Sequence, residues 1–128
     1  MPRTIGIPSP LGRAASGSQP VAFEQLVGPD DGITILAARV AAGSLIGGWH
    51  RHDRGQYLES VSGEGFVQDF GEQPIALPAG ARVWCPPGTV HRHGAAANGE
   101  WHQFSITPGG TEWFATDGEA AAALAAAG

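Results

Sequence analysis

Four histidines fall into two pairs with the same spacing, His50-x-His52 and His91-x-His93. Residues i and i+2 of a strand leave the same face of a sheet, so each pair would present two imidazoles side by side if its segment is extended. A sheet builds adjacent metal ligands in this way, from neutral imidazole nitrogens that suit transition metals. The fifth histidine, His102, heads the apolar run Phe104, Ser105, Ile106. All five lie between residues 50 and 102, and the flanks have none.

The composition removes several other kinds of chemistry. A chain of 128 residues makes one ordinary domain, and a net charge of -5, from seven basic and twelve acidic residues, offers no cationic footprint for nucleic acid or an anionic membrane. Every basic residue is an arginine, so no lysine is available as a Schiff-base former or a base. The single cysteine, Cys85, cannot form an internal disulfide and suits a reducing compartment. No serine sits in a G-x-S-x-G context, and no glycine-rich loop precedes a helix, so serine hydrolysis and nucleotide binding fall away. Neither a signal-peptide core nor a stretch able to span a bilayer is visible, and the expected location is cytoplasmic.

The elements that must position the histidines are short. Residues 1–20, rich in proline, glycine and serine, read as an arm, 21–108 as a barrel and 109–128 as a tail. Strands are expected at Val21 to Val27, Ile33 to Val40, Gln56 to Val61, Gly65 to Phe70, Ile75 to Leu77, Arg82 to Cys85 and Trp101 to Thr107, separated by glycine and proline turns. Many short strands without a long helical period indicate an all-β sandwich or small barrel. Only Glu119 to Ala127 contains strong helix formers, and its near-uniform alanine predicts a frayed or weakly packed end.

Two linked motifs give the barrel a family. The chain resembles the cupins, small jelly-roll β-barrels whose first motif runs G-x5-H-x-H-x3-E-x6-G and whose second runs G-x5-P-x-G-x2-H-x3-N. His50-x-His52-x3-Gln56-x6-Gly63 follows the first and Gly80-x5-Pro86-x-Gly88-x2-His91 the second, with Ser44 and Ala95 replacing the outer glycine and asparagine. The resemblance implies one divalent transition metal, held by His50, His52, Gln56 and His91. Gln56 replaces the usual glutamate, which leaves the ion its full +2 charge and makes it a stronger Lewis acid.

The same ligand set marks the bacterial hydroxynitrile-lyase-like cupins, which act on a manganese centre. Trp49, Gly55, the run Val83 to Gly88 and the sequel His91-Arg92-His93-Gly94-Ala95 resemble theirs. That resemblance implies manganese, with iron, nickel or zinc as alternatives, and His102 as general base. His93 joins it as a catalytic or rim residue beside the metal. Arg39, if it points inward, would ask instead for an anionic substrate such as a uronate. The expectation is thus a metal-dependent lyase or isomerase on a small oxygenated carbon acid. A cupin dioxygenase and a non-catalytic ligand-binding sensor stand as alternatives. The resemblance also implies a homodimer or higher homo-oligomer, through sheet edges that the arm could cover.

Overall fold

The computed structural model describes residues 20–127. The arm assigned to residues 1–20 therefore lies, apart from Pro20, outside the described residues. Ten strands follow: β1 (Val21–Val27), β2 (Ile33–Val40), β3 (His50–His52), β4 (Gln56–Ser62), β5 (Gly65–Asp69), β6 (Ile75–Leu77), β7 (Arg82–Cys85), β8 (His91–Ala95), β9 (Trp101–Pro108) and β10 (Thr111–Trp113). They form two five-stranded antiparallel sheets, β1-β2-β9-β4-β7 and β10-β3-β8-β5-β6. This is the all-β barrel of short strands expected from the sequence.

The core fills one end of the space between the sheets. Ala38, Val40, Leu58 and Cys85 from the first sheet meet Val67, Leu77 and Ala95 from the second, with Trp101 fully buried among them. The Trp101 indole donates to Ser60 Oγ (2.8 Å), and Ser60 in turn donates to the Leu77 carbonyl (3.1 Å), so the polar atoms carried into this core are satisfied. Cys85 is a small filler whose thiol burial pushes up to about 12, which leaves it inert.

Two glycines are fixed by geometry. Gly55 has φ 86° and backs onto the Trp84 ring, where an added Cβ would sit 2.6 Å from the nearest carbon. Gly63 has φ 75°, and a Cβ there would lie 2.1 Å from the Glu100 carbonyl oxygen. The first turns the chain from the histidine strand β3 into Gln56, and the second closes the β4–β5 hairpin.

The stretch assigned to the tail is more ordered than its composition suggests. Thr111–Trp113 forms β10, which pairs with β3 in the register Thr111 to His52 and Trp113 to His50. Helix α1 (Asp117–Ala127) then packs through Ala120 and Ala123 onto a second apolar cluster of Trp49, Val90 and Phe114. Glu119 N donates to Thr116 Oγ1 (3.1 Å) and Ala115 N to Glu119 Oε2 (2.7 Å), so both sides of the helix start are capped. The Trp49 indole donates to Asp117 (2.7 Å) and lies under the Arg92 guanidinium, 4.3 Å from the ring centre. Small alanine side chains let the helix approach closely, and capping and tryptophan contacts replace the bulk they lack. No helix among the described residues is long and apolar enough to cross a membrane.

Candidate metal centre and its cavity

Alternation along β3 and β8 turns His50, His52, His91 and His93 to the barrel interior, where each is buried. His50 and His91 are directly opposed across the β3–β8 ladder, with ring centres 4.4 Å apart. His52 lies 5.0 Å from His50 and 5.1 Å from His91, and His93 lies 5.2 Å from His50. Ring nitrogens of His50, His91 and His93 come within 4.8 Å of one another. Gln56 reaches the cluster from β4 in the opposite sheet, so the site bridges the two layers.

The hydrogen bonds behind the rings separate three histidines from the fourth. His50 Nδ1 donates to the Gly48 carbonyl (2.9 Å) and His91 Nδ1 to the Thr89 carbonyl (3.1 Å). His52 Nδ1 meets Thr111 Oγ1 at 2.8 Å. The two carbonyls put the proton of His50 and His91 on Nδ1 and leave their Nε2 lone pairs facing inward, the arrangement that orients metal-ligating imidazoles, and Thr111 anchors His52 on the same side of its ring. His93 has no protein partner on either nitrogen among the described residues. It therefore lacks the anchoring acceptor that the other three share.

A direct test of fit comes from Gln56. Its Nε2 donates to Thr107 Oγ1 (3.0 Å), and its Oε1 is turned toward His91 Nε2 at 3.3 Å. With Nδ1 of His91 already donating, two lone-pair acceptors face each other. A cation lying between them would relieve that contact. Protonation is opposed: burial pulls His50 down to about 3 and His52 to about 4, in each case reinforced by the neighbouring His91, while Gln56 partly opposes the shift at His52. Burial also lowers His91, and burial with the facing His50, His91 and His52 takes His93 well below its ordinary value. Neutral, converging and desolvated imidazoles with an amide oxygen form a donor set that can hold a metal ion.

Beside the cluster opens a cavity of about 190 Å³. Sheet β1-β2-β9-β4-β7 supplies its second wall through Thr34, Gln103, Ser105 and Thr107, and Phe23 and Trp113 stand at its edge, 52% and 54% exposed. The Trp113 ring lies over His50 at 4.3 Å between centres. No arginine or carboxylate lines this cavity among the described residues. A wider depression outside, of about 520 Å³, borders His52, but its Arg51 and Glu112 are paired with each other (2.8 Å) and its Asp53 accepts from Gly110 N (2.8 Å).

Two expected site residues lie elsewhere. Along β9, Trp101, Gln103, Ser105 and Thr107 are buried, while His102, Phe104 and Ile106 face out. His102 therefore sits on the outer surface, 30% exposed, with Nε2 2.8 Å from Glu100 Oε1. Arg39 pairs with it across the β2–β9 ladder on the same outer face and is bound to the other oxygen of Glu100. Together they hold the Glu100 carboxyl below its usual range, the His102 hydrogen bond first and Arg39 next. Sequence reasoning also missed Gln103, Ser105, Thr107 and Thr111. The missed signal was the strict period of two in Trp101-x-Gln103-x-Ser105-x-Thr107, which puts polar groups on the same side as a large aromatic.

Comparison with known proteins agrees with this architecture. The cupin domain model matches residues 37–107, more than half of the chain, and the protein belongs to the cupin family. A cupin-like protein of Thermotoga maritima is 30% identical, over 80% of this chain and 84% of its own, with a TM-score of 0.69. An RmlC-like cupin of Methanocaldococcus jannaschii shares the fold at 16% identity, 84% and 94% coverage and a TM-score of 0.66. A DMSP lyase of Ruegeria pomeroyi does so at 19% identity and a TM-score of 0.61, over 73% of this chain and 51% of its own. No curated protein matches the chain in sequence.

Proposed function

We propose that the protein is a divalent-metal lyase acting on a small, neutral, oxygenated carbon acid, in the manner of the hydroxynitrile-lyase-like cupins, with manganese as the metal. The observation that carries this reading is the lone-pair contact between Gln56 Oε1 and His91 Nε2, in a cluster where His50 and His52 have anchored Nδ1 atoms. A cation shared by His50, His52, Gln56 and His91 relieves that contact. The absence of any arginine among the described cavity residues favours a neutral substrate over a uronate.

A divalent ion held there would polarise an oxygen bound to it and so make that oxygen's proton easier to remove. The chain's own part is positional and acid–base. His93, neutral and without a protein partner, takes the hydroxyl proton of a cyanohydrin. The C–O bond becomes the carbonyl, the C–CN bond breaks with its electron pair leaving on cyanide, and the imidazolium returns the proton to give hydrogen cyanide.

Elemental analysis and turnover test the reading together. Protein purified without an affinity tag is expected to hold about one manganese per chain and to convert mandelonitrile to benzaldehyde under nitrogen as fast as in air. A His52→Ala, His91→Ala double variant should lose both. Failure of the wild type to retain any transition metal after reconstitution would end the enzyme reading, and oxygen-dependent turnover would replace the lyase with a dioxygenase.

A further inference from the structure

The second wall of the cavity contains a group that the cluster chemistry does not use. Gln103 is 2% exposed, lines the cavity and has an Oε1 to which no described residue donates. A buried carbonyl-type acceptor left unpaired costs about as much as a lost hydrogen bond, so its occurrence needs a reason. None of its described neighbours donates to it. Directly opposite on β2 is Ala38, which has nothing to donate, and opposite on β4 is Ser60, whose hydroxyl already donates to the Leu77 carbonyl. Thr107, on the same face of β9, accepts from Gln56 Nε2. The strand thus presents an acceptor that its own sheet leaves available, on the side of the cavity facing the imidazoles.

The remaining walls define what could satisfy it. No arginine or carboxylate lines this cavity among the described residues, so the wall around Gln103 offers hydrogen bonds and apolar contact rather than an ion-pair partner. Phe23 and Trp113 offer apolar faces at the edge, and the cavity, at about 190 Å³, admits only a small molecule.

We propose that Gln103 selects the ligand: its Oε1 accepts a hydrogen bond from the hydroxyl of a small neutral molecule whose apolar body rests between Phe23 and Trp113. This rests on the reading of the cavity as the substrate site, and it adds a discrimination that the metal centre alone does not provide. A site with a buried acceptor rejects analogues that lack the donor, because they leave the acceptor unpaired.

Benzyl alcohol and benzyl methyl ether differ at that one donor and serve as probes. Binding is read from tryptophan fluorescence on manganese-loaded and metal-free protein, for the wild type and for Gln103→Met, which keeps length but removes the acceptor. Gln103→Leu is a second apolar variant, and circular dichroism shows which of the two folds. The alcohol-to-ether affinity ratio should fall about tenfold from the wild type to the variant, with and without metal, while manganese content stays unchanged. Comparing ratios removes the metal's own preference for an alcohol oxygen. An unchanged ratio in the folded variant overturns the proposal, as does a wild type with no saturable binding of benzyl alcohol. A wild type that takes up no manganese sinks the metal reading instead, and the metal-free ratio still decides the role of Gln103.

Discussion

The two walls of the barrel interior are built from different chemistry. Sheet β10-β3-β8-β5-β6 contributes four imidazoles and no amide, whereas sheet β1-β2-β9-β4-β7 contributes Gln56, Gln103, Ser105 and Thr107 and no imidazole. Three of the imidazoles, His50, His91 and His52, are fixed from behind by Gly48, Thr89 and Thr111, so they converge whether or not a ligand is present. The opposite wall keeps an acceptor that its own strands do not satisfy. One wall is preorganised to hold an ion and the other to contact what binds beside it.

Removing a ligand from the first wall should have the largest effect. His91→Ala deletes the imidazole that faces both His50 and Gln56, and metal content should fall from about one per chain to near none, with turnover lost. A variant that keeps its metal and its activity breaks the assignment of the first wall as the metal site. His93→Phe asks how the fourth imidazole differs from the other three. Its ring has no anchoring acceptor, so metal should remain while turnover drops about 10²- to 10⁴-fold. Loss of metal in this variant would instead make His93 a ligand, in the set His50, His91 and His93.

The same contrast predicts how the metal-free protein responds to acid. His50 and His52 stay neutral down to about 3 and about 4 in the folded chain, whereas an unfolded histidine protonates near 6.5. Between these limits the unfolded state binds more protons, so stability rises with pH and is lost as pH falls from 6.5 toward 4. Each such histidine should cost about 1.4 kcal/mol per pH unit in that window. Urea unfolding of metal-free protein at roughly pH 7 and 5.5 reads this directly, in a range above the ordinary carboxylate values. Equal stability at the two values would mean that the imidazoles are hydrated or already charged. Thr111→Val is a milder perturbation of the same wall, because it removes the Nδ1 partner of His52 and leaves the ligand. Manganese affinity should fall about 10- to 100-fold, as titration against a chelator would show.

Much of this was legible in the sequence because two rules coincide. The i, i+2 spacing of the histidines and the motif positions of Gln56 and His91 both depend on local geometry, and the strands at β1, β2, β6 and β7 keep the bounds that alternation and turn residues suggest. The C-terminal helix was legible from the helix formers of Glu119 to Ala127, but the packing of this stretch was not. β10 has three residues and is defined by the partner it finds in β3, and α1 is held by Trp49 and Phe114 rather than by its own propensity. The facing of β9 was misread for a more general reason. Burying apolar residues is the usual rule for a half-buried strand, and it turns Phe104 and Ile106 inward. At a binding cavity the rule inverts, and a register difference of one residue moves every side chain to the other face.

His102 and Arg39 are where that inversion has its consequence. Both lie on the outer face, joined through Glu100, and the sheet separates them from the imidazole cluster. The partly exposed contact of His102 with Glu100 contributes little to stability and has no path to a proton inside the barrel. His102→Ala should therefore leave manganese content unchanged and turnover within about twofold of wild type, the smallest effect among these variants. The comparison with Gln103→Met then becomes a test of one strand at adjacent positions. If the outward histidine is silent and the inward glutamine changes ligand preference, the inner face of β9 reads the ligand and its outer face does not. A drop of about 100-fold or more in His102→Ala would reverse that order and return the base to the position that the motif resemblance first suggested.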